Sequence, residues 1–333
     1  LVKRITASDG GAGDRFGSAV ALSGGTLIAG APGKDAYQGA AYVFQRNQDG
    51  TNQWGEVKKL TALEGKAGDR FGIAAGIHGD TAVVGSDGEN NFTGGAWVFS
   101  RNEWGVDEWG RVQPLAMDHL EPQDFYGSSV AIQGDTILVG APGDNDQGNG
   151  AGAVYVFTRG EVQTNPWQPV QKLIATGGGE DERFGSATAL HEGLLLIGAP
   201  WNKDRGEYAG AAYVFERAAG TVLSWKPVKK LTAYDGQQPD RFAHAVALSG
   251  DLAVIGTHRG DYNPGAVYLF PNTNRPLLNV AQDRLVIDED SAANSLAFSV
   301  ISPEGSQPTV RAVSSDPALI PNENLRLTDL GKG

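Results

Sequence analysis

Short apolar runs recur along this chain at regular intervals, and each follows a pair made of an aromatic residue and a small one. The first copy reads Phe16-Gly17, then a stretch of small residues, then the apolar run 26–32 that ends in Gly-Ala-Pro. The aromatic residue occurs five times, at intervals of 55, 55, 58 and 58 residues: Phe16, Phe71, Tyr126, Phe184 and Phe242. A fixed period of this length predicts a repeat architecture.

Each repeat is predicted to contain four short strands, A to D. In the first copy, strand A is the small-residue segment 17–22, strand B is the apolar run, strand C is residues 39–44 and strand D is residues 57–62. Two residues, usually including glycine, join A to B in every copy, which suits a tight hairpin turn. Four antiparallel strands repeated around an axis predict a β-propeller, with the B–C and D–A loops on one face.

The last repeat lacks its D phrase, because the chain passes from strand C at Phe270 into Pro271-Asn272. Residues 2–7 carry the same phrase as the D strands of the other repeats. We therefore predict an all-β fold in which residues 1–270 form a five-bladed propeller closed by the N-terminal strand. The alternative is that these blades belong to a larger ring.

The sequence pattern changes after residue 270. Residues 271–278 contain two Pro and two Asn and are predicted to be a linker. Residues 279–333 read as four further strands, but an immunoglobulin-like sandwich needs about 100 residues. The prediction is a partial β-sandwich, either cut short or completed by another chain through self-assembly.

Composition narrows the function classes. The formal net charge of −12 argues against nucleic acid as a partner, since basic patches dominate that affinity. The sequence has no apolar run of membrane-spanning length, so membrane insertion is not expected. Cys is absent, which excludes disulfides and thiolate metal sites and leaves the compartment open.

The Phe-Gly and Gly-Ala-Pro elements, in this order, resemble FG-GAP repeats, the blades of the integrin α-subunit propeller. The phrasing Asp14-Arg15-Phe16-Gly17 with a following Gly-Asp-Thr, as at 134–136, is most similar to the bacterial form of the repeat. Residues 279–333 resemble a bacterial cadherin-like or immunoglobulin-like repeat, through 287–290 and 314–322. The combination implies an extracellular or cell-surface protein, often an adhesin or matrix component.

The resemblance does not carry calcium binding with it. Integrin propellers hold calcium in a loop between strands A and B, whereas those connections here are two residues long and cannot supply six to eight oxygen ligands. The best cation candidate is instead the loop 143–150, where Asp144, Asp146 and Asn149 offer oxygen side chains for Ca²⁺. The alternative is a polar surface turn, since no bidentate Glu ends the loop.

Two further sets of side chains lie on the predicted loop face. Trp201, Tyr208 and Tyr262 beside Asp261 suit stacking against a sugar, with packing between blades as the alternative. Asp261 also ends the tripeptide Arg259-Gly260-Asp261, which many integrins recognise and which chance explains as well. An acid precedes the aromatic residue in every repeat, and it fits either a ring of ligands or a cap on backbone N–H groups: Asp14, Asp69, Asp124, Glu182 and Asp240.

No enzyme motif is present, because the five His residues are scattered and neither a nucleophile elbow nor a phosphate loop occurs. His244 replaces the small residue found at Ser18 and is a candidate to face the channel, where a satisfied polar role is the usual one. We expect a non-enzymatic extracellular adhesion or scaffold module that binds another protein through propeller loops or the C-terminal sandwich. The alternatives are a lectin, with or without calcium, and an enzyme, which would need a convergent acid pair.

Overall fold

A computed structural model describes residues 3–48, 50, 53–103, 105–160, 166–218, 224–236, 238–250, 252–258, 265–271, 277–280 and 298–301. The chain divides into two compact units, residues 1–270 and residues 271–333. The first unit is an all-β propeller of five blades, each built from one antiparallel sheet.

Four blades contain four described strands each, and the fifth contains three. Blade 1 consists of β1 (Val20–Ser23), β2 (Thr26–Ala31), β3 (Ala40–Arg46) and β4 (Trp54–Leu60). Blade 2 consists of β5 (Ala74–His78), β6 (Thr81–Ser86), β7 (Gly95–Arg101) and β8 (Trp109–Pro114). Blade 3 consists of β9 (Ser129–Gln133), β10 (Thr136–Ala141), β11 (Ala153–Arg159) and β12 (Trp167–Leu173). Blade 4 consists of β13 (Ala187–His191), β14 (Leu194–Ala199), β15 (Ala211–Arg217) and β16 (Trp225–Leu231), and blade 5 of β17 (Ala245–Ser249), β18 (Leu252–Gly256) and β19 (Val267–Pro271).

The predicted hairpins between the first two strands of each blade are confirmed. In blade 1, Ser23 pairs with Thr26, so the turn holds only two residues, and its Gly24 has a φ of 56°. The inner strand begins later than predicted, at Val20 rather than residue 17. The reason is that Arg15 and Gly17 both have positive φ, which keeps the aromatic-glycine pair in a turn.

The outermost strand of each four-stranded blade begins at a tryptophan, earlier than its predicted start. Pairing between the third and fourth strands shifts register at the same place in all four blades, as between Val43 and Phe44 in blade 1. A bulge of this kind adds a residue and increases the local twist. Two short helical turns, α1 (Lys34–Tyr37) and α2 (Glu89–Phe92), lie in the loops of blades 1 and 2 and contain residues with positive φ.

The hydrophobic core lies between successive blades rather than within one sheet. Ile77 of blade 2, for example, belongs to one core cluster with Ile28 and Val43 of blade 1. The backbones approach so closely that a Cβ added to Gly30 would collide with the carbonyl oxygen of Gly72. Glycine is therefore required at this point of the Gly-Ala-Pro element, and the same approach recurs between the later blades.

Blades 1 and 5 do not pack on one another in the described part of the chain. The inner strands pack in the series β1, β5, β9, β13 and β17, and β17 has no comparable contact with β1. Leu22 on β1 is 61% exposed, whereas Ile77 at the same position of blade 2 is 7% exposed. A Cβ added to Gly17 would meet no other atom within 4 Å, unlike one on Gly72.

The predicted closure by the N-terminal strand is therefore not observed. The sheet of blade 5 has three strands among the described residues, and residues 3–7 are not in strand conformation. Residues 3–8 contact blade 1 instead: the Lys3 Nζ donates to the carbonyl of Trp54 at 2.5 Å and the Ser8 Oγ donates to Glu56 at 2.8 Å. The predicted pairing of this segment with β19 is wrong for residues 3–7, which pack on blade 1.

The structure does not support the predicted partial β-sandwich at residues 279–333. Beyond Pro271 it describes two strands, β20 (Leu277–Val280) and β21 (Phe298–Ile301), which pair antiparallel. Strand β20 includes two residues that the sequence assigned to the linker 271–278. The remaining predicted strands lie outside the described residues, so completion of the sandwich by another chain stays a prediction.

Candidate functional site

One turn, just ahead of the aromatic residue, has the same geometry in all five blades. Its central residue has a positive φ of between 48° and 58° although it is never glycine: Arg15, Arg70, Phe125, Arg183 and Arg241. The acid before it stabilises the turn by accepting a hydrogen bond from the backbone N–H three residues upstream. The distances are 2.7 Å for Asp14, 2.6 Å for Asp69, 2.8 Å for Asp124 and 3.0 Å for Glu182. The capping role predicted for these acids is confirmed in four blades.

In blade 2 the turn's arginine has an internal counter-ion. The Nε of Arg70 lies 2.9 Å from the Oδ1 of Asp87, and its guanidinium lies over the ring of Phe92 with 5.2 Å to the centroid. Asp87 occupies the third position of the Gly-Ala-Pro element in its own blade. Burial raises the pKa of Asp87, and the charge of Arg70 opposes that rise.

Blades 4 and 5 carry the arginine without this acid, as blade 1 does with Arg15 and Pro32. Pro200 occupies the corresponding position in blade 4, and by sequence count His258 does so in blade 5. The Nε atoms of Arg70, Arg183 and Arg241 are all buried without a hydrogen-bond partner, but within the described residues only that of Arg70 has a carboxylate beside it. Arg183 lies instead over the ring of Trp201, 4.8 Å from its centroid.

These two arginines line a cavity of about 450 Å³ at the loops of blades 3 to 5. Phe125 of blade 3 and Trp201 of blade 4 provide aromatic walls, and Pro200 adds a rigid apolar surface. His244 also lines the cavity, so the residue that the sequence placed near the channel does face an open space. A volume in this range is typical of sites that hold small ligands or single side chains.

The surroundings of His244 favour its neutral form through its pKa. Burial, followed by the nearby His258 and Arg241, lowers the pKa of His244 below its ordinary value of 6.5. The two imidazole rings stack with 5.2 Å between their centroids. Near neutral pH the positive charge of the cavity therefore comes from the two arginines.

The structure brings together two of the four residues predicted to bind a ligand. Trp201 and Tyr208 meet edge to face, with 5.4 Å between ring centroids. Tyr262 and Asp261, with the whole Arg-Gly-Asp tripeptide, lie outside the described residues. Sequence reasoning missed Arg183 and Arg241 as site residues, although an alignment of the five repeats shows that only blade 2 pairs its arginine with an acid.

The predicted calcium loop already contains a positive charge. The Lys172 Nζ lies 2.7 Å from Asp144 and 2.5 Å from Asp146, and the Tyr155 hydroxyl donates to Asp144 at 2.8 Å. Asp144 is only 3% exposed, and Asn149 contributes its backbone carbonyl to the N–H of Asp181. Within the described residues no cluster of three or more acidic or histidine side chains is arranged to hold a metal ion.

The same combination of aromatic residue, lysine and acid recurs in other blades. In blade 4, Lys230 lies 2.5 Å from Asp204 and over the ring of Tyr213. In blade 1, Lys59 lies 2.7 Å from Asp9. The Asp144 cluster is thus one copy of a repeated ion pair, and calcium binding there stays a prediction.

Comparison with known proteins gives a family match across all five blades. The family described as "FG-GAP repeat" matches residues 1–44, 54–99, 109–157, 167–215 and 225–270. Integrin alpha-3 of Cricetulus griseus is 26% identical over 234 residues, which is 64% of this chain and 21% of that protein. Integrin alpha-11 of Homo sapiens is 24% identical over 256 residues, 69% of this chain and 21% of that protein. The chain therefore spans about a fifth of the length of these relatives.

Among solved structures, Sqt1 from Chaetomium thermophilum aligns with a TM-score of 0.44 and 16% identity, covering 73% of this chain and 56% of that one. No helix among the described residues is long and apolar enough to cross a membrane.

Proposed function

The chain belongs to the FG-GAP repeat family, and we propose that it is a non-enzymatic adhesion or scaffold module that binds another protein through the loops of blades 3 to 5. The observation that carries this proposal is the cavity walled by Trp201 and Phe125 and lined by two arginines. Tryptophan and arginine are the residues most enriched at the energetic centres of protein interfaces. Loops held on a rigid scaffold are also where binding surfaces are most often found.

The relatives support the same class of function. They are integrin alpha subunits, and this chain matches about a fifth of each. We propose an extracellular or cell-surface location for this chain on that basis.

A binding panel tests the proposal. The full chain and its Trp201→Ala variant are measured against immobilised extracellular-matrix proteins by biolayer interferometry. Val106, which is 90% exposed in the loop between β7 and β8 at the opposite end of the blades, gives the matched control Val106→Ala. We expect saturable binding to at least one protein, weakened about 30-fold by Trp201→Ala, which is typical of a central interface residue.

Two results would contradict the proposal. One is the absence of binding to every protein in the panel. The other is binding that Trp201→Ala and Val106→Ala leave equally strong, because the contact surface would then lie away from the cavity. Circular dichroism of each variant establishes that any loss does not come from unfolding.

A glycan is the second candidate ligand, and the Trp201–Tyr208 pair favours it. Both rings are partly exposed at the loop face, and an exposed aromatic face can stack on a sugar. A glycan array read with calcium and then with chelator tests this candidate. Binding lost on chelation would favour the calcium-dependent form, and a blank array would remove the lectin.

A further inference from the structure

We propose that the cavity formed by blades 3 to 5 binds carboxylate side chains of an acidic segment on a partner protein, and that Arg183 and Arg241 are the groups that bind them. This inference rests on the proposed protein-binding function and specifies the chemistry of the partner.

The comparison between blades carries the first step. Arg70 in blade 2 stands at the same position of the same turn, and there the chain provides Asp87 at 2.9 Å. Blades 4 and 5 have no acid at that position, and their arginines adopt the same left-handed turn, with φ of 58° at Arg183 and 48° at Arg241. These two blades thus carry the cation and its strained backbone without the counter-ion that blade 2 supplies.

Burial gives the missing counter-ion an energetic consequence. The Nε atoms of all three arginines are buried without a hydrogen-bond partner, but Arg70 has the charge of Asp87 at 2.9 Å, whereas Arg183 and Arg241 have no carboxylate within salt-bridge distance among the described residues. A buried donor left without a partner costs free energy. A carboxylate entering the cavity would accept hydrogen bonds from these N–H groups. A guanidinium presents its donors in a planar fork that matches a carboxylate, so the pairing gains both strength and direction.

The walls of the cavity favour a side chain over a free ion. Trp201 and Phe125 offer apolar faces next to the guanidinium groups, where the methylene groups of a Glu or the backbone of an acidic loop can pack. Arg183 is fixed over Trp201 before any ligand arrives, so less side-chain entropy is lost on binding.

The charge of the whole chain gives the site selectivity. With a formal net charge of −12, the molecule does not attract an acidic ligand in general. Binding of an acidic segment must therefore depend on this cavity, and it should be lost when the two arginines are neutralised.

Isothermal titration calorimetry on the full chain tests the proposal with two synthetic peptides, acetyl-Gly-Glu-Asp-Glu-Gly-amide and its Gln-Asn-Gln counterpart. The variants are Arg183→Gln, Arg241→Gln and the double substitution. Arg15→Gln is the matched control, because Arg15 occupies the same turn in blade 1, is exposed, and lies over Tyr37 rather than in the cavity. Thermal unfolding of every variant confirms that the fold is retained.

We expect the acidic peptide to bind, each single cavity variant to weaken it about tenfold, and the double variant to abolish it. Arg15→Gln should leave the affinity unchanged, and the amide peptide should not bind. The proposal is overturned if neither peptide binds, if both bind equally, or if Arg15→Gln weakens binding as much as the cavity variants do.

Two outcomes separate this inference from the proposed function. If a matrix protein binds in a Trp201-dependent manner and the double arginine variant retains full affinity, the protein-binding function stands and the carboxylate site is wrong. If only sulfated or sialylated glycans bind, and do so through the two arginines, the cavity is an anionic-glycan site and both proposals fail.

Discussion

Truncating Leu22 and truncating Ile77 should have very different effects on stability, although the two residues occupy the same position of the repeat. Each points from the inner strand of its blade toward the preceding blade. Ile77 belongs to a core cluster with Ile28 and Val43 of blade 1, whereas blade 1 has no described neighbour on that side, so Leu22 remains 61% exposed.

The size of the difference follows from burial. Removing a buried Ile side chain to Ala costs about 3 kcal/mol, which includes the cavity left behind. Leu22 is about two-fifths buried and leaves no enclosed cavity, so its loss costs about 1 kcal/mol. The lower strand propensity of Ala adds a similar penalty to both variants and cancels in the comparison. We therefore expect Ile77→Ala to be less stable than Leu22→Ala by about 2 kcal/mol.

Urea unfolding followed by tryptophan fluorescence and circular dichroism measures the difference, with transitions compared between probes to test for two-state behaviour. Equal losses in the two variants would refute the reasoning, because Leu22 would then be buried in solution. Repeating the measurement at several protein concentrations identifies the cause. A loss that is independent of concentration would mean that blade 5 closes on blade 1, and a loss that grows with concentration would mean that a second copy covers this face.

Three further predictions follow from hydrogen bonds and ion pairs within and between the blades. The side-chain amide of Gln113 donates to the backbone carbonyl of Trp167 at 3.0 Å and accepts from the backbone N–H of Trp167 at 2.9 Å. Gln113→Ala would leave both buried backbone groups unpaired, so we expect it to lower the free energy of unfolding in urea by about 2–4 kcal/mol. Lys172→Met should lower the melting temperature, because the substitution leaves two close carboxylates without a cation. For the same reason, added calcium should raise the melting temperature more in the variant than in the wild type. An identical calcium response in the two proteins would argue against a cation site in this loop. Hydrogen bonds from Lys59 and then Tyr42 lower the pKa of Asp9 from 3.8 to about 2, so its contribution to stability is present above pH 4 and is lost as the pH falls through about 2. Asp9→Asn should flatten the stability profile measured across that window.

Much of the propeller could be predicted from sequence because its determinants are local and repeated. The two-residue hairpin at Gly24 needs a positive φ, which glycine supplies, and the same signal appears at Gly79, Gly134 and Gly250. Because these turn signals recur at the same positions in five repeats, they support one another even though each is weak by itself. The acid that caps its own turn was likewise readable, because donor and acceptor lie three residues apart.

The relation between the first and last blades could not be read in the same way. Residues 2–7 have the sequence of an outer strand, but an outer strand both pairs with its own sheet and packs on the next blade. Ile5 and Ala7 do pack on blade 1, beside Tyr42. Pairing with the last sheet would require a long-range contact with β19 that no local sequence pattern encodes. Exposure of Leu22 is similarly invisible in the sequence, since its apolar character is shared with Ile77.

The candidate site was only partly predictable, because it depends on an acid that blade 2 has and blades 4 and 5 lack. Trp201 drew attention as an aromatic in a polar loop, and His244 as a departure from a small residue. Arg183 and Arg241 looked like ordinary repeat residues, since blades 1 and 2 carry arginine there too. An alignment of the repeats shows that only blade 2 has an acid at the position of Asp87, but the contact of that acid with the guanidinium is visible only in the structure.

The same turn serves structure in every blade and is exposed to a ligand in some of them. Its acid caps the backbone, and its left-handed residue donates its N–H to a carbonyl of the preceding blade, as Arg70 does to Tyr37. In blade 2 the exposed end of that turn is neutralised by Asp87, so it attracts nothing. Blade 4 has Pro200 at that position, so Arg183 has no acid beside it and lines an open cavity where it can meet an anion. The same reasoning explains why the site spans neighbouring blades. A single arginine without a counter-ion only lowers the stability of its own turn, whereas two arginines that face one cavity can both bind the carboxylates of one acidic segment.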